Sequence, residues 1–297
     1  MSPKLHIILN PSAGWHRAQR ESRILYQALK YHHISYEVHT TSHAGHARKL
    51  GRQLSGQGVT QIGVLGGDGT YHEVINGIMD SPGTTQPILG FIPGGSSNDL
   101  AQCLNADTSV EKFCQNILQN KTSTIDLGKV NGNYFVLASA LGLFADAAKR
   151  SNHLKGLYGQ YRYLAAGFFS IMFTRNGWNM ELEFSDQKLQ GNYSVFMLSN
   201  LSRFGVLRLV PESSADDGLM EAVLIDWIPN KWRAIDLLRL ARQGRLMDHP
   251  HLRIIRTDKL RLTIHTHSEL NLDGELYPHQ DTYEFQVVPR KLRVFSG

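Results

Sequence analysis

Apolar and polar positions over the first 105 residues repeat one unit: a short apolar run, a small-residue loop, then apolar residues at helical spacing. Leu5–Asn10 reads as a strand, Pro11-Ser12-Ala13-Gly14 as a loop, and Ile24, Leu25, Ala28 and Leu29 as the buried face of a helix. Tyr36–Thr40 is a second strand, followed by a polar loop from Thr41 to Gly45 and a helix carrying Ala47, Leu50 and Leu54. Ile62, Val64 and Leu65 form the third strand, ahead of Gly66-Gly67-Asp68-Gly69-Thr70 and a helix with Val74, Ile75, Ile78 and Met79 on one face. Pro87–Ile92 is the fourth, ahead of a loop from Pro93 to Asp99 and a short helix with Leu100, Ala101 and Leu104. Alternation of this kind predicts a parallel sheet covered by helices. In such sheets ligands bind outside the C-terminal strand ends, where all four loops would gather.

Near Ile125 the pattern changes. Ile125–Leu127 and Tyr134–Ala140 read as strands, and Leu154–Phe173 as an aromatic-rich helix turning Tyr161, Leu164, Ala165, Phe168 and Phe169 toward a core, with a membrane-facing role as the alternative. Trp178–Phe184 alternates as an antiparallel strand should, with a turn at Asp186–Asn192 into Tyr193–Ser199. Leu219–Ile225, Leu252–Ile255, Leu260–His265 and Tyr283–Val288 are further strands, and Asn230–Gln243 is an amphipathic helix. The expectation is an α/β domain over residues 1–126 and a β-rich, mainly antiparallel, sandwich-like domain over 127–289, with residues 290–297 packing back on the first.

Composition narrows the class. The 297 residues allow two domains, and 41% hydrophobic content is that of a soluble globular protein. Cys103 and Cys114 make no disulfide framework or metal-spaced pair, which fits a reducing, cytoplasmic setting. LHIIL near the N-terminus is too short for a signal-peptide core, and Tyr158–Phe173 is too short and polar to span a bilayer. A net charge of +5 permits a nucleotide or an acidic lipid surface as partner; no nucleic-acid partner is expected.

The chemistry concentrates at Gly66–Thr70. Three glycines remove the Cβ atoms that would block a ligand, and Thr70 with Glu73 has the spacing of a capping box. Bare N–H groups at a helix N-terminus attract an anion. Asp68 would repel phosphates unless a cation sat between them, so the loop suggests a polyphosphate carrying Mg²⁺. The plain alternative is a tight turn with Asp in a usual turn position. His39, His43 and His46 straddle a strand end, a loop and a helix start, which reads as a solvated loop. Asp216-Asp217-Gly218 reads as a turn, and Asp273-Gly274 as the turn of a hairpin that carries Glu275.

Taken together, these loops resemble the diacylglycerol-kinase catalytic-domain family, specifically its soluble bacterial lipid kinases. The matching pieces are Asn10-Pro11-Ser12-Ala13-Gly14, Thr41 with Gly45, Gly66-Gly67-Asp68-Gly69-Thr70, Pro93 to Asp99, Asp217-Gly218 and Asp273-Gly274-Glu275, in family order over nearly the whole chain. The resemblance implies an NAD kinase/phosphofructokinase-like first domain, a β-rich second domain and an ATP cleft between them. It implies ATP contacts from Asn10, Pro11, Ser12, Ala13, Gly14, Thr41, Gly66, Gly67, Asp68, Gly69, Thr70, Tyr71, His72 and Ser96. Asp68, Asp99 and Asp217 would share a Mg²⁺-and-water network. A structural Mg²⁺ would be held by the Asp217 carboxylate with the carbonyls of Ser214 and Leu219, and Glu275 would accept the proton. Trp15 and Gln102 stand where the family usually has basic residues, and Ser96 where it usually has Thr. The expected activity is ATP- and Mg²⁺-dependent phosphorylation of a lipid hydroxyl, with peripheral contact at the inner face of a membrane. An NAD kinase-like enzyme and an inactive nucleotide-binding regulator are the alternatives. The oligomeric state is open, a homodimer included.

Overall fold

The structure, a computed structural model, describes residues 3–83, 86–105, 107–154, 160–201, 203–204, 207–208, 214–243 and 245–296. The chain divides into two units, Met1–Ile125 with Arg290–Gly297, and Asp126–Pro289. No helix among the described residues is long and apolar enough to cross a membrane.

In the first unit the elements run β1 (Leu5–Leu9), α1 (Ala13–Tyr31), β2 (Tyr36–Thr40), α2 (His46–Gly56), β3 (Gln61–Gly66), α3 (Asp68–Met79), β4 (Ile88–Pro93), α4 (Asp99–Leu104) and α5 (Val110–Leu118), before β5 (Thr122–Val130) leads out. The strands are parallel in the order β2-β1-β3-β4, in registers such as Ile8 opposite Val64 and Val64 opposite Phe91. Every residue of β3 is buried, as expected of a strand covered on both faces. One face packs Leu5, Ile7 and Leu9 against Ala18, Leu25 and Leu29 of α1. On α2 and α3 two glycines bring the helix backbones together. A Cβ at Gly77 would stand 2.0 Å from the Arg48 carbonyl oxygen, and one at Gly51 2.7 Å from that of Val74. The pattern of apolar residues does not announce α5. It starts at Ser109, whose hydroxyl accepts from the Lys112 amide at 3.2 Å, and it inserts Phe113 beside Gly63 and Gly90. At the chain's end Val294 pairs beside Leu89, and the Phe295 ring meets Phe113 edge-on at 6.4 Å.

In the second unit follow β6 (Asn133–Phe135), β7 (Ala138–Gly142), α6 (Leu143–His153), α7 (Gln160–Phe173), β8 (Trp178–Glu183), β9 (Lys188–Ser199), β10 (Arg203–Phe204), β11 (Leu207–Arg208) and β12 (Met220–Asp226). Then come α8 (Lys231–Arg242), a single 3₁₀ turn, β13 (Leu252–Thr257), β14 (Lys259–Ile264), β15 (Leu270–Leu272), β16 (Glu275–Tyr277) and β17 (Thr282–Phe295). The pairings are antiparallel. Tyr193 and earlier residues of β9 pair with β8, while Val195–Ser199 lie between β7 and β12. Burial follows: β9 alternates over its first five residues and is then continuously buried.

Three expectations need correction. The strand read over Tyr134–Ala140 is two strands, because the amides of Val136, Leu137 and Ala138 turn to the Asp273 carboxylate. A helix read from Leu154 is preceded by a separate one, α6; residues 155–159 and the side chain of Tyr161 lie outside the described residues, as does Pro211. Phe168 and Phe169, expected to face a core, are 41% and 40% exposed, and the inward face of α7 is instead Ala166, Ser170 and Ile171.

Candidate active site

Three loops of the first unit meet through backbone. A Cβ on Gly14 would stand 2.3 Å from the Gly94 carbonyl oxygen, and one on Gly95 2.5 Å from the Gly67 Cα. The Gly94 amide donates to the Gly66 carbonyl at 2.7 Å. No larger residue leaves room for this convergence. Gly14 also takes φ +57°, continued by Trp15 and His16 at +56° and +66°, so the regular part of α1 starts only after them. Left-handed Trp and His are uncommon, and their backbone is bent here at the mouth of the loop.

Asn10 ties the first loop to the third helix. Its Nδ2 donates to Thr70 Oγ1 at 3.0 Å and its Oδ1 accepts from the Ser12 amide at 3.2 Å. Thr70 therefore does not cap α3, and the expected capping box with Glu73 is absent. The helix begins three residues earlier, with Gly67 as N-cap, and Glu73 instead accepts from the amides of Gly45 and Ala47, capping α2. That contact fixes the loop between Thr41, buried at the end of β2, and α2. The Tyr71 amide bonds back to the Gly67 carbonyl, so the Asp68 and Gly69 amides precede the helical ladder.

Asp68 is in the first turn of a helix rather than in a surface loop. Its half-buried carboxylate accepts from the Leu100 amide at 3.2 Å and so holds the start of α4. Asp99 begins α4. Asn98, buried and left-handed at φ +55°, closes the intervening loop by accepting from the Gly95 amide at 2.7 Å and donating to its carbonyl at 2.9 Å. Ser96 is exposed at the tip. The side chains of Tyr71 and His72 leave the candidate ligand set, since both are buried. Tyr71 donates to the Ile92 carbonyl at 2.8 Å, its hydroxyl pushed well above its usual pKa by burial and by nearby Asp68. His72 packs against Asn76. Beside these loops Gly14, Gly67, Asp68, Gly69 and Asp99 are partly exposed, which offers backbone amides and two carboxylates. Such a set accommodates a polyanion with a hard cation between, so these residues fit Mg²⁺.

In the second unit Asp273-Gly274 forms the two-residue turn of the β15–β16 hairpin, with φ +53° and +98° and Leu272 opposite Glu275. Both positive φ values are those of a type I′ turn. Asp273 itself is buried and accepts from the amides of Val136, Leu137 and Ala138 at 2.9, 2.7 and 3.2 Å. This positions the strand end from which the exposed Glu275 carboxylate projects.

Asp217 sits in a turn with Gly218 at φ +77°. Its Oδ1 accepts from the Leu219 amide at 3.0 Å, and its Oδ2 is met by the Arg256 guanidinium, whose Nε lies 3.4 Å from the buried Glu221 carboxylate. Ser214 Oγ donates to Asp216 at 2.7 Å. The donor set proposed for a structural metal is oxygen only, and Arg256 stands in the place of a cation there. An exposed pair of this kind contributes about 0–1 kcal/mol, so the set still fits a divalent ion that displaces it. Sequence reasoning missed Asp126, fully buried, whose carboxylate accepts from the Gly218 amide at 2.7 Å, and Asn200, which donates to the Asp126 and Val136 carbonyls at 2.9 Å. Neither has a motif around it. Both act by holding the Asp217 turn and the segment beside the Asp273 amides.

The three histidines fall as read, at a strand end, in a loop and at a helix start. His39 belongs with His6, their ring nitrogens 3.0 Å apart, and burial lowers the His6 pKa. His43 and His46 stack on each other at 5.0 Å.

Comparison with known proteins follows the same two units. Residues 4–130 match the family model of the diacylglycerol kinase catalytic domain, and residues 138–296 that of the YegS C-terminal NAD kinase beta sandwich-like domain. A diacylglycerol kinase of Staphylococcus saprophyticus is 27% identical over 277 residues, covering 93% of this chain and 90% of its own. One from Staphylococcus aureus is 27% identical over 301 residues, covering 100% and 93%. The crystal structure of a diacylglycerol kinase from Bacillus anthracis superposes with TM-score 0.75 at 17% identity, over 100% of this chain and 97% of that one. An NAD kinase from Archaeoglobus fulgidus, in complex with ATP, superposes with TM-score 0.54 at 11% identity, over 99% and 93%.

Proposed function

The chain belongs to the diacylglycerol kinase catalytic-domain family, and from that premise we propose that it transfers the γ-phosphate of ATP to a lipid hydroxyl. The observation that carries this reading is the convergence of the Gly14, Gly66–Gly67 and Gly94–Gly95 backbones beside Asp68 and Asp99. Phosphoryl transfer asks a protein mainly for positioning and charge neutralisation. The amides at the start of α3 and the glycine loops hold the triphosphate. Asn10, bonded to Thr70, keeps the first of those loops in register with the third. Asp68 and Asp99 would hold the nucleotide's Mg²⁺, which offsets charge on the departing diphosphate. Ser214, Asp217 and Leu219 would hold a second, structural Mg²⁺.

In the reaction the acceptor oxygen forms a bond to the γ-phosphorus, the bond from that phosphorus to the bridging oxygen breaks, and ADP leaves. Glu275 takes the hydroxyl proton. As an exposed carboxylate at the start of a short strand it is open to an acceptor, and Asp273 fixes the turn from which it projects. The lipid is met at the membrane surface, by peripheral contact.

Replacement of Glu275 by Gln tests the assignment. ATP affinity should stay near normal while turnover on a lipid acceptor falls by roughly 10²–10⁴, the usual worth of a positioned base. A collapse of ATP affinity instead would make Glu275 a structural residue.

A further inference from the structure

The second unit carries a cluster of large apolar side chains in solvent. On α7, Phe168, Phe169, Met172 and Phe173 are 41, 40, 43 and 64% exposed, and on α8 Trp232 is 79% exposed. The ridge is continuous on α7: the Phe168 and Phe169 rings meet at 5.8 Å and the Phe169 and Phe173 rings at 6.2 Å. The start of α8, which carries Trp232, is held at the end of α7, because Lys231 donates to the carbonyl of Thr174, the residue after α7. Single exposed apolar residues need no explanation, but a contiguous group of aromatics marks a surface that meets something.

The rim is basic. Arg175, Arg233 and Arg239 are exposed around the ridge, and the Arg150 guanidinium lies 5.4 Å over the Phe173 ring. Of the acidic side chains nearby, Asp146 on α6 pairs with Arg150 at 2.7 Å, and Asp236 on α8 is exposed between Arg233 and Arg239, which leaves the rim of Arg175, Arg233 and Arg239 net positive. Farther along the chain several basic side chains are already engaged. Arg245 pairs with Asp248, Arg253 with Asp226, and Arg256 with Asp217 and Glu221; the side chain of Arg242 lies outside the described residues.

We propose that the α7–α8 ridge docks the protein on an anionic lipid bilayer, with the Phe, Met and Trp side chains entering the interface and the three arginines meeting headgroups. Charge complementarity selects this occupant, since aromatic residues within a cationic rim suit the boundary of an anionic membrane. The inference rests on the lipid-kinase reading for its purpose, and the surface itself stands on the geometry.

Vesicle co-sedimentation tests it, using the full chain with phosphatidylglycerol or phosphatidylcholine vesicles. Wild type should bind the anionic vesicles more than tenfold better, with binding weakening steeply as salt rises. Phe173→Ser with Trp232→Ser should lose at least tenfold, and Arg233→Gln with Arg239→Gln about fivefold per charge. Both double variants should keep wild-type melting temperatures, because the replaced side chains are exposed. They should also keep turnover on diacylglycerol dispersed in detergent. Equal binding to both vesicle types, or unchanged binding by the apolar double variant, would overturn the proposal. So would a wild-type dimer that the apolar variant dissociates, because the ridge would then be covered by a second copy. If wild type binds anionic vesicles but phosphorylates no dispersed lipid, the docking surface stands and the kinase reading fails.

Discussion

Asp68 holds α4 through the Leu100 amide, and in the proposed reaction its charge would help hold the nucleotide's Mg²⁺. Asp68→Asn retains the accepting oxygen, so the fold should survive. Turnover should fall roughly 10²-fold, about 3 kcal/mol, the scale for losing one charged group from a transition-state contact. Near-normal turnover at any Mg²⁺ concentration would remove Asp68 from the metal's ligands. Asp217 makes a separable prediction, because Arg256 competes for its carboxylate. Without nucleotide, Mg²⁺ should raise the melting temperature of wild type, raise that of Arg256→Gln further, and leave Asp217→Ala unmoved, since an ion that binds only the folded state stabilises it by mass action. An equal response in Asp217→Ala would contradict the site. Single residues were the least legible scale. Thr70 and Glu73 have capping-box spacing, yet each bonds to a different loop. Asp126 and Asp273 look like ordinary strand and turn residues, and only tertiary structure shows that each carboxylate receives buried backbone amides.

At the level of elements, two patterns read best: a continuous apolar run for a strand covered on both faces, as in β3, and alternation for a strand with one wetter face, as in β8. The four parallel strands and the Asp273-Gly274 turn could be read directly, whereas the turn read over Asp186–Asn192 closes earlier, at Phe184–Gln187, and residues from Lys188 on pair with β8 as part of β9. Helix α5 escaped because a nine-residue segment with mixed polarity has too few turns to establish a period. The aromatic side of α7 was read as core because apolar spacing cannot tell a face covered by protein from one left open. Packing between α2 and α3 offers a direct check. Gly77→Ala would push a methyl group against the Arg48 carbonyl, and overpacking of this kind costs about 1–3 kcal/mol. The urea midpoint should drop accordingly. An unchanged midpoint would mean that the two helices separate at no cost, against the close backbone approach described.

For the molecule as a whole, the order of the small-residue loops along the chain carried the family, and the two matched regions span 4–130 and 138–296. Acceptor identity was not legible, because a lipid pocket is made of scattered apolar side chains with no fixed spacing. The most direct test of the central claim is incubation of the purified chain with ATP labelled at the γ-phosphate, Mg²⁺ and a total lipid extract, with Glu275→Gln in parallel. A labelled phospholipid formed by wild type, and reduced roughly 10²–10⁴-fold with the variant, is the result expected of a lipid kinase whose base is Glu275. Label that stays in the aqueous phase for both proteins, or appears on added NAD instead of lipid, would contradict it.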